Sequence, residues 1–205
     1  MSENSKYTAV SYVWGDSHVK VPGLVNDEEM KINQSLAVTL RSFRRANEKA
    51  ALWVDGVCIK QDDEAEKEEQ VQLMVKIYSN AVRIVIWSGQ SADNSDLAMD
   101  FISNSETLVA QDWNEESFLK NTAPWTALKA LMARPWWSRT WMIQEAYLSK
   151  LLVIRSGEKE THLENLMRLK KKVHTEYFWK DANRFKFGRP FDDVPFATYL
   201  SICVG

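Results

Sequence analysis

The sequence predicts an α/β fold in which a mostly parallel sheet is flanked by helices. Two observations support this class. Segments with strand and helix patterns alternate along the first 157 residues. One strand segment, Arg83-Ile-Val-Ile-Trp87, is apolar on both faces, as expected for a central strand of a parallel sheet. We also expect additional helices and an irregular C-terminal region.

The first elements are predicted from β-branched runs and helix signals. Residues 7–13 should form a strand that ends at Gly15-Asp16. Residues 19–25 should form a short edge strand, broken at Pro22-Gly23. Asn33 is a candidate N-cap for the first helix. The apolar stripe of that helix comprises Leu36, Leu40 and Phe43, with Arg41, Arg44 and Arg45 outside it.

The next elements lead to the central strand. Residues 52–55, Leu-Trp-Val-Asp, are typical of a buried strand that ends on an acid. Asp63 should cap the following helix, with Glu66 reaching back as a capping box. The inner face of that helix is predicted as Val71, Met74, Val75 and Tyr78. Residues 83–87 then form the central strand, which ends at Ser88-Gly89.

The second half continues the alternation. Helices are predicted over about residues 94–105 and over 125–133, where Arg134-Pro135 should end the helix. A strand at 151–154 is closed by Gly157, and residues 162–173 form a basic amphipathic helix. We therefore predict an α/β core over residues 1–157 and a C-terminal extension over 158–205, which is packed on this domain or continues it.

Composition excludes several classes of protein. The chain has 205 residues, 45% hydrophobic and 26% charged, and a net charge of -2, so it lacks a global field that would attract nucleic acid or an anionic membrane. Its two cysteines, Cys58 and Cys203, lack CxxC spacing, which argues against a disulfide framework or a zinc site. We expect Cys58 to be buried, and we predict no metal, no membrane segment and a cytoplasmic location.

A Trp-rich segment at residues 134–145 combines three tryptophans, two arginines and a carboxylate. Trp141 and Glu145 lie four residues apart and share a face if this part is helical. An aromatic platform beside these charges suits a flat, charged ligand. In the alternative interpretation, the tryptophans belong to the core while Arg134 and Arg139 pair with Glu145 or another acid as a structural network.

Polar loops that follow predicted strands offer further candidate ligand groups. In open α/β sheets, ligands bind beyond the carboxyl ends of the strands. Gly15 would permit close backbone approach, and Asp16 would bind a hydroxyl such as that of ribose. Asp55 could act as a site acid. The structural alternatives are that Gly15-Asp16 is only a turn and that Asp55 only caps the next turn.

Glu145 is the candidate catalytic residue. A carboxylate that faces a pocket stabilises positive charge developing on a ribosyl carbon, as carboxylates do in glycoside cleavage. Other enzyme classes lack their motifs, since Gly-x-Ser-x-Gly, Gly-x-Gly-x-x-Gly and the P-loop pattern are absent from the sequence. The three histidines are dispersed, without metal-ligand spacing.

The C-terminal region carries a second binding hypothesis. Basic residues interleaved with aromatic ones are typical of single-strand nucleic-acid binding. The slightly acidic chain favours instead a solvated helix face or a surface for partner docking. The basic residues are Arg168, Lys170, Lys171, Lys172, Lys180, Arg184, Lys186 and Arg189, and the aromatic residues are Tyr177, Phe178, Trp179, Phe185 and Phe187.

The chain resembles the HET (heterokaryon incompatibility) domain family of filamentous fungi over about residues 7–157. The segments that carry this resemblance are Tyr7 to Gly15, Leu52 to Gln61, Glu69-Gln70 through Ile77-Tyr78, Val85 to Gly89, Arg134 to Trp141, and Gln144-Glu145. Gly56 and Lys60 stand where the family usually has Ala and Asn, and Ser88 stands where it usually has Leu. The resemblance implies a role in programmed cell death triggered by genetically different nuclei.

HET domains have been compared with TIR domains, which have a flavodoxin-like fold. Here Ser11 to Asp16 is similar to the first strand and loop of TIR domains, and Trp141 to Glu145 to the segment that carries the catalytic glutamate of many TIR enzymes. The resemblance implies hydrolysis of NAD, as substrate and not cofactor, by Glu145. Trp14 or Trp141 would stack on a ring, and Asp16, Arg134 and Arg139 would position ribose or phosphate.

The partners that the resemblance implies are a nucleotide ligand and either further copies of the chain or receptor-type proteins. A non-enzymatic signalling module that acts by self-association or partner binding is the alternative function.

Overall fold

The computed structural model describes residues 6–25, 27–47, 49–106, 122–139 and 151–177. The chain divides into two compact units. The first comprises Met1–Trp87 and Gln144–Leu152, and the second comprises Ser88–Ile143 and Val153–Gly205. The division into a core over residues 1–157 and an extension over 158–205 stays a prediction.

The α/β class predicted from the sequence is confirmed. Across the described residues, five strands form one sheet in the order β4-β1-β5-β6-β7, and β2 and β3 form a separate two-stranded sheet. When the hairpin β2-β3 is set aside, the order by position in the chain is 2-1-3-4-5, as in flavodoxin-like folds. The sheet is mostly parallel, and the exception is the antiparallel pair β6-β7.

In the first unit, β1 (Thr8–Ser11) lies between β4 (Leu52–Trp53) and β5 (Arg83–Trp87), and both pairings are parallel. The core here combines Ala9 and Ile84, both fully buried, with Trp53 and Tyr78, whose rings meet edge to face at 5.5 Å. The two-sided apolarity of the central strand therefore reflects burial on both faces.

A hairpin follows β1. Its strands are β2 (Lys20–Val25) and β3 (Glu28–Asn33), paired antiparallel. The predicted break at Pro22-Gly23 is wrong, because these residues pair with Lys31 and Met30 without interruption. A two-stranded ribbon has only edge strands, where proline is tolerated.

Helix α1 (Gln34–Phe43) begins after Asn33, as predicted, but the Asn33 side chain makes no capping hydrogen bond. A short helix α2 (Asp55–Cys58) follows β4, and α3 (Glu64–Asn80) begins after Asp63. The Asp63 side chain accepts a hydrogen bond from the Glu66 N–H at 3.1 Å, as predicted. The reciprocal half of the capping box differs, because the Glu66 carboxylate accepts from the Lys60 N–H, at 3.3 Å, and the Asp63 N–H donates to the Lys60 carbonyl.

The inner face predicted for α3 is wrong in part. Only Tyr78 is buried, and Met74 packs partly against the core. Val71 and Val75 are 48% and 50% exposed. Ile77, which the pattern did not select, packs beside Met74. The helix is therefore turned so that two valines of its apolar stripe face away from the core.

The second unit begins at Ser88. Its helices are α4 (Ser95–Ser103), α5 (Ala123–Met132) and α6 (Leu163–Tyr177), and a 3-10 turn (Pro135–Ser138) follows α5. The hairpin of β6 (Leu152–Ser156) and β7 (Lys159–His162) turns at Gly157. Strand β7 has no counterpart in the sequence-based prediction.

Helix α4 is the centre of packing in this unit. Its buried residues include Ala98, Met99 and Ile102, and the Phe101 ring meets Trp125 of α5 edge to face at 4.7 Å. No helix in the described ranges combines the length and the apolar character that a membrane crossing requires. The irregular C-terminal region is predicted to begin at Tyr177, which is instead the last residue of α6. Residues 178–205 lie outside the described ranges.

Candidate functional site

The loop after β1 is fixed by side-chain hydrogen bonds. The indole N–H of Trp14 donates to Oδ2 of Asp55 at 2.9 Å, and the hydroxyl of Ser35 donates to the Trp14 carbonyl. These contacts join the loops that leave two neighbouring parallel strands, β1 and β4, at their carboxyl ends. The structure therefore brings together two predicted ligand residues, Trp14 and Asp55.

Gly15 and Asp16 stand at the exposed part of this loop. Gly15 has φ +69, and a Cβ at this position would lie 3.3 Å from the Ser35 side chain. Asp16 is exposed, and its Oδ1 accepts the His18 N–H at 2.8 Å. The turn predicted as the structural alternative is therefore present. It uses one carboxylate oxygen of Asp16 and leaves the side chain exposed to solvent.

Asp55 also anchors the short helix α2. Its Oδ1 accepts the Gly56 N–H at 2.7 Å, and its carbonyl accepts the side-chain amide of Gln61 at 2.9 Å. The packing at Gly56 is close, since a Cβ there would lie 2.5 Å from the Tyr12 hydroxyl and 3.0 Å from Leu36. A side chain at position 56 would therefore displace the hydroxyl of the buried Tyr12.

The prediction that Cys58 is buried is wrong, because the residue is exposed. Partial burial of its surroundings nevertheless raises the pKa of the thiol, the Val54 N–H opposes this effect, and the charge of Asp55 adds to it. A raised pKa keeps the thiol protonated at neutral pH, which argues against a nucleophilic role.

In the second unit, Arg134 holds the loop that follows β5. Its Nη1 donates to the carbonyls of Ser88 and Gln90, each at 3.1 Å, and to the Ser156 hydroxyl at 3.0 Å. Its Nη2 donates to the Ala92 carbonyl at 2.9 Å. Burial lowers the pKa of Arg134, whereas Asp93 and Asp96 raise it. The guanidinium therefore satisfies backbone carbonyls that form no sheet ladder.

Glycines complete this arrangement. Gly89 has φ +111 and its carbonyl accepts the Gly157 N–H at 2.9 Å. Gly157 has φ +55, and a Cβ there would lie 3.0 Å from Ser91. The hydroxyl of Ser88 is buried and has no hydrogen-bond partner within the described ranges. The family that this chain resembles usually has leucine at position 88, and leucine would place no polar atom there.

The Trp-rich segment divides between described and undescribed residues. Trp136 and Trp137 are buried, with their rings edge to face at 4.9 Å, so the core interpretation holds for this pair. Arg139 is half-buried and follows the 3-10 turn. Trp141 and Glu145 lie outside the described residues, and their roles stay predictions.

The predicted ligand residues belong to two units. Trp14, Gly15, Asp16 and Asp55 are in the first unit, and Arg134 and Arg139 are in the second. Sequence reasoning missed Ser35, Tyr12 and Ser156, which support these residues. Tyr12 carried a signal, because it adjoins the loop and belongs to the motif at Tyr7 to Gly15. Among the described residues, no group of three or more His, Cys, Asp or Glu could hold a metal ion.

An open, mostly parallel sheet with polar loops at the carboxyl ends of its strands defines a protein of the α/β class. Within that class, the chain belongs to the HET family, because the family model described as "Heterokaryon incompatibility protein (HET)" matches residues 7–145. The chain is also 40% identical over 116 residues to "Heterokaryon incompatibility protein 6, OR allele" of Neurospora crassa.

That match covers 50% of this chain and 17% of the Neurospora protein, so the chain corresponds to a small part of that relative. No solved structure matches the chain.

Proposed function

We propose that the chain acts in heterokaryon incompatibility as a cell-death effector domain that hydrolyses NAD at the nicotinamide-ribosyl bond. The observation that carries the first part is the family match over residues 7–145. The name of the Neurospora relative supports the same role. The flavodoxin-like strand order, with polar side chains beyond β1 and β4, supports the assignment of a ligand site.

Glu145 is the proposed catalytic residue. Its carboxylate stabilises the oxocarbenium-like ribosyl cation as the bond to the nicotinamide nitrogen breaks, and water then supplies the hydroxyl of ADP-ribose. Trp14 or Trp141 stacks on a ring of the ligand. The bond from the Trp14 indole to Asp55 supports this use, because it fixes the ring in one orientation.

The remaining residues would orient the ligand. Asp16 keeps an exposed carboxylate that accepts hydrogen bonds from ribose hydroxyls, and Arg139 contributes positive charge for phosphate. Arg134 has the same proposed role, although four acceptors already engage its guanidinium. Gly15 lets the loop backbone approach the ligand. The proposed compartment is the cytoplasm, where NAD is accessible.

The test measures nicotinamide release from NAD by the purified chain. We expect release by the wild type and a loss of about a hundredfold or more in Glu145→Gln, which keeps the shape of the side chain but removes its charge. Glu29→Gln is the matched control, since Glu29 is exposed on β3. Equal release by wild type and Glu145→Gln would remove Glu145 from its role.

A non-enzymatic signalling module is the second candidate, and the exposure of Val71 and Val75 on α3 favours it. A helix that presents apolar side chains to solvent is typical of an association surface. Expression of Glu145→Gln in fungal cells separates the two functions. Persistent cell death without nicotinamide release supports the signalling module, whereas loss of both supports the hydrolase.

A further inference from the structure

The hairpin of β2 and β3 has two outer edges that differ in their backbone groups. The Gln34 N–H donates to the Val19 carbonyl at 3.0 Å, which adds a hydrogen-bonded pair to the end of the hairpin ladder. Because hydrogen-bonded and non-hydrogen-bonded pairs alternate, Pro22 and Lys31 form a non-hydrogen-bonded pair. Their backbone groups therefore point to the outer edges, as do those of Glu29. The edge of β2 lacks an N–H at Pro22, whereas the edge of β3 keeps its N–H groups.

The outer edge of β3 is open in the part of the chain that the structure describes. Residues 28–31 are all exposed, and no described residue forms a hydrogen bond with the outward backbone groups of Glu29 or Lys31. Ile32 is buried by contrast, so it anchors the strand in its own unit. An uncovered strand edge is a template for pairing with another strand.

The charges on β3 favour one kind of partner strand. Glu29 and Lys31 lie on the same face of the strand, because side chains alternate between faces, and Met30 stands between them on the opposite face. Charged side chains on an edge usually oppose pairing. Here the two charges have opposite signs, so a strand with the reverse order of charges would meet both of them with attraction.

A second copy of β3 supplies that reverse order in one antiparallel register. When the two-fold axis passes at Met30, Glu29 of each copy lies directly opposite Lys31 of the other. Directly opposite residues share a face, with Cβ atoms about 5 Å apart, so both ion pairs can form. The backbone groups of these residues point outwards, and each Glu29–Lys31 pair therefore exchanges backbone hydrogen bonds. A shift by two residues would set Glu29 against Glu29 or Lys31 against Lys31, so the charges select the register.

We propose that the outer edge of β3 is a self-association surface, through which two copies of this chain form an antiparallel pair of β3 strands. The pair joins the two hairpins into one continuous sheet and covers Met30, which is 37% exposed, with Met30 of the other copy. The inference deepens the signalling alternative and does not rest on hydrolysis of NAD. A strand of six residues is about 20 Å long, so the interface is small and association is concentration-dependent.

Sedimentation of the full chain over a wide range of concentration tests the edge. We expect a monomer-dimer equilibrium for the wild type and a monomer for Lys31→Pro, which removes an outward N–H and places the proline ring in the edge. Lys20→Pro is the matched control, because it loses the same charge and an outward N–H on the edge of β2. We expect this control to associate as the wild type does. Circular dichroism verifies that each variant is folded.

Charge reversal tests the register without a change to the backbone. Glu29→Lys and Lys31→Glu, each alone, set like charges opposite each other and should weaken dimerisation about tenfold. The double variant restores opposite charges and keeps the net charge of the chain, so it should associate as the wild type does. Mixing the two single variants also restores both ion pairs, and association in the mixture should exceed that of either variant alone.

Three outcomes would overturn the proposal. These are a wild type that stays monomeric at every concentration, a dimer that survives a folded Lys31→Pro, and a double charge variant that associates no better than the single variants. If Lys31→Pro does not fold, the charge variants decide the question.

Nicotinamide release measured in the same samples reports on Glu145 separately, because the β3 pair contributes no residue to the proposed ligand site. Glu29→Gln should weaken association, since it removes both ion pairs, while its release of nicotinamide stays that of the wild type.

Discussion

The loop after β1 and the loop after β5 follow parallel strands but have different supports. The first is held by the bond between the Trp14 indole and Asp55 and by the hydroxyl of Ser35, and it leaves Asp16 exposed. The second turns three of its carbonyls towards the guanidinium of Arg134. In the first loop, the side chain of Asp16 remains accessible to a ligand. In the second loop, the side chain of Arg134 donates hydrogen bonds to backbone carbonyls.

This difference shows how a polar residue beside a strand should be interpreted. Buried or half-buried carbonyls need donors, and a loop that makes no ladder must obtain them elsewhere. An arginine that supplies four bonds in one planar group meets that need. The acceptors around Arg134 thus show a supporting role that its presence in the motif alone does not reveal.

Of the substitutions that test this difference between the loops, Arg134→Met should have the largest effect on stability. It leaves the carbonyl of buried Ser88 and the hydroxyl of buried Ser156 without this donor, whereas water can reach the carbonyls of exposed Gln90 and Ala92. We therefore expect the free energy of unfolding to fall by about 3 kcal/mol. Arg134→Lys should recover only part, because one ammonium cannot match the planar fork. Urea denaturation measures both.

Arg44→Met is the control for loss of a surface charge, since Arg44 is exposed after α1. We expect a change within about 0.5 kcal/mol there. If Arg134→Met were as mild as Arg44→Met, the loop after β5 would not depend on the guanidinium.

Gly56→Ala lies in the same unit as the loop after β1 and should have an intermediate effect on stability. The added Cβ would lie 2.5 Å from the Tyr12 hydroxyl, so we expect a loss of about 2 kcal/mol from overpacking. Tyr12→Phe removes the clashing oxygen. In a double-mutant cycle measured by thermal unfolding, Gly56→Ala should cost less in the Tyr12→Phe background than in the wild type. Additive losses would show that the hydroxyl is not the obstacle.

Trp14→Phe should have the smallest effect on stability. It removes the indole N–H that Asp55 accepts, and we expect a loss of about 1 kcal/mol. Hydrogen exchange at the amides of residues 12–18 should become faster, while exchange in β5 stays unchanged. Asp55→Asn should be milder, because an amide oxygen still accepts the bond. Unchanged exchange in Trp14→Phe would mean that the loop is held by other contacts.

The sequence predicted the sheet because its buried strands are β-branched and apolar, as in β1 and β5. Strands β3 and β7 escaped prediction, because Glu-Glu-Met-Lys-Ile-Asn and Lys-Glu-Thr-His lack the composition of buried strands. Both are formed by antiparallel pairing within a hairpin, which a single-strand pattern does not contain. The regular spacing of apolar residues in α3 predicted the helix, but it could not show which of these residues face the core and which are exposed.

The candidate site was predictable only in part, for a related reason. Chain position placed Trp14 and Asp55 beyond the ends of strands, which suffices to bring them near each other when the strands are neighbours. The acceptors of Arg134 could not be inferred, because each of the three carbonyls is 42 to 46 residues away in the chain. Local patterns carry no information about backbone groups at that separation.

The same separation has a consequence for synthesis. The carbonyls of Ser88 to Ala92 leave the ribosome well before Arg134, and Ser156 follows 22 residues after Arg134. At a synthesis rate of about 5–20 residues per second, roughly 2–9 s pass between synthesis of the loop and synthesis of Arg134. During that interval β5 is complete, while the backbone beyond it remains hydrated and open. The loop therefore cannot form its final hydrogen bonds until Arg134, and after it Ser156, have been synthesised.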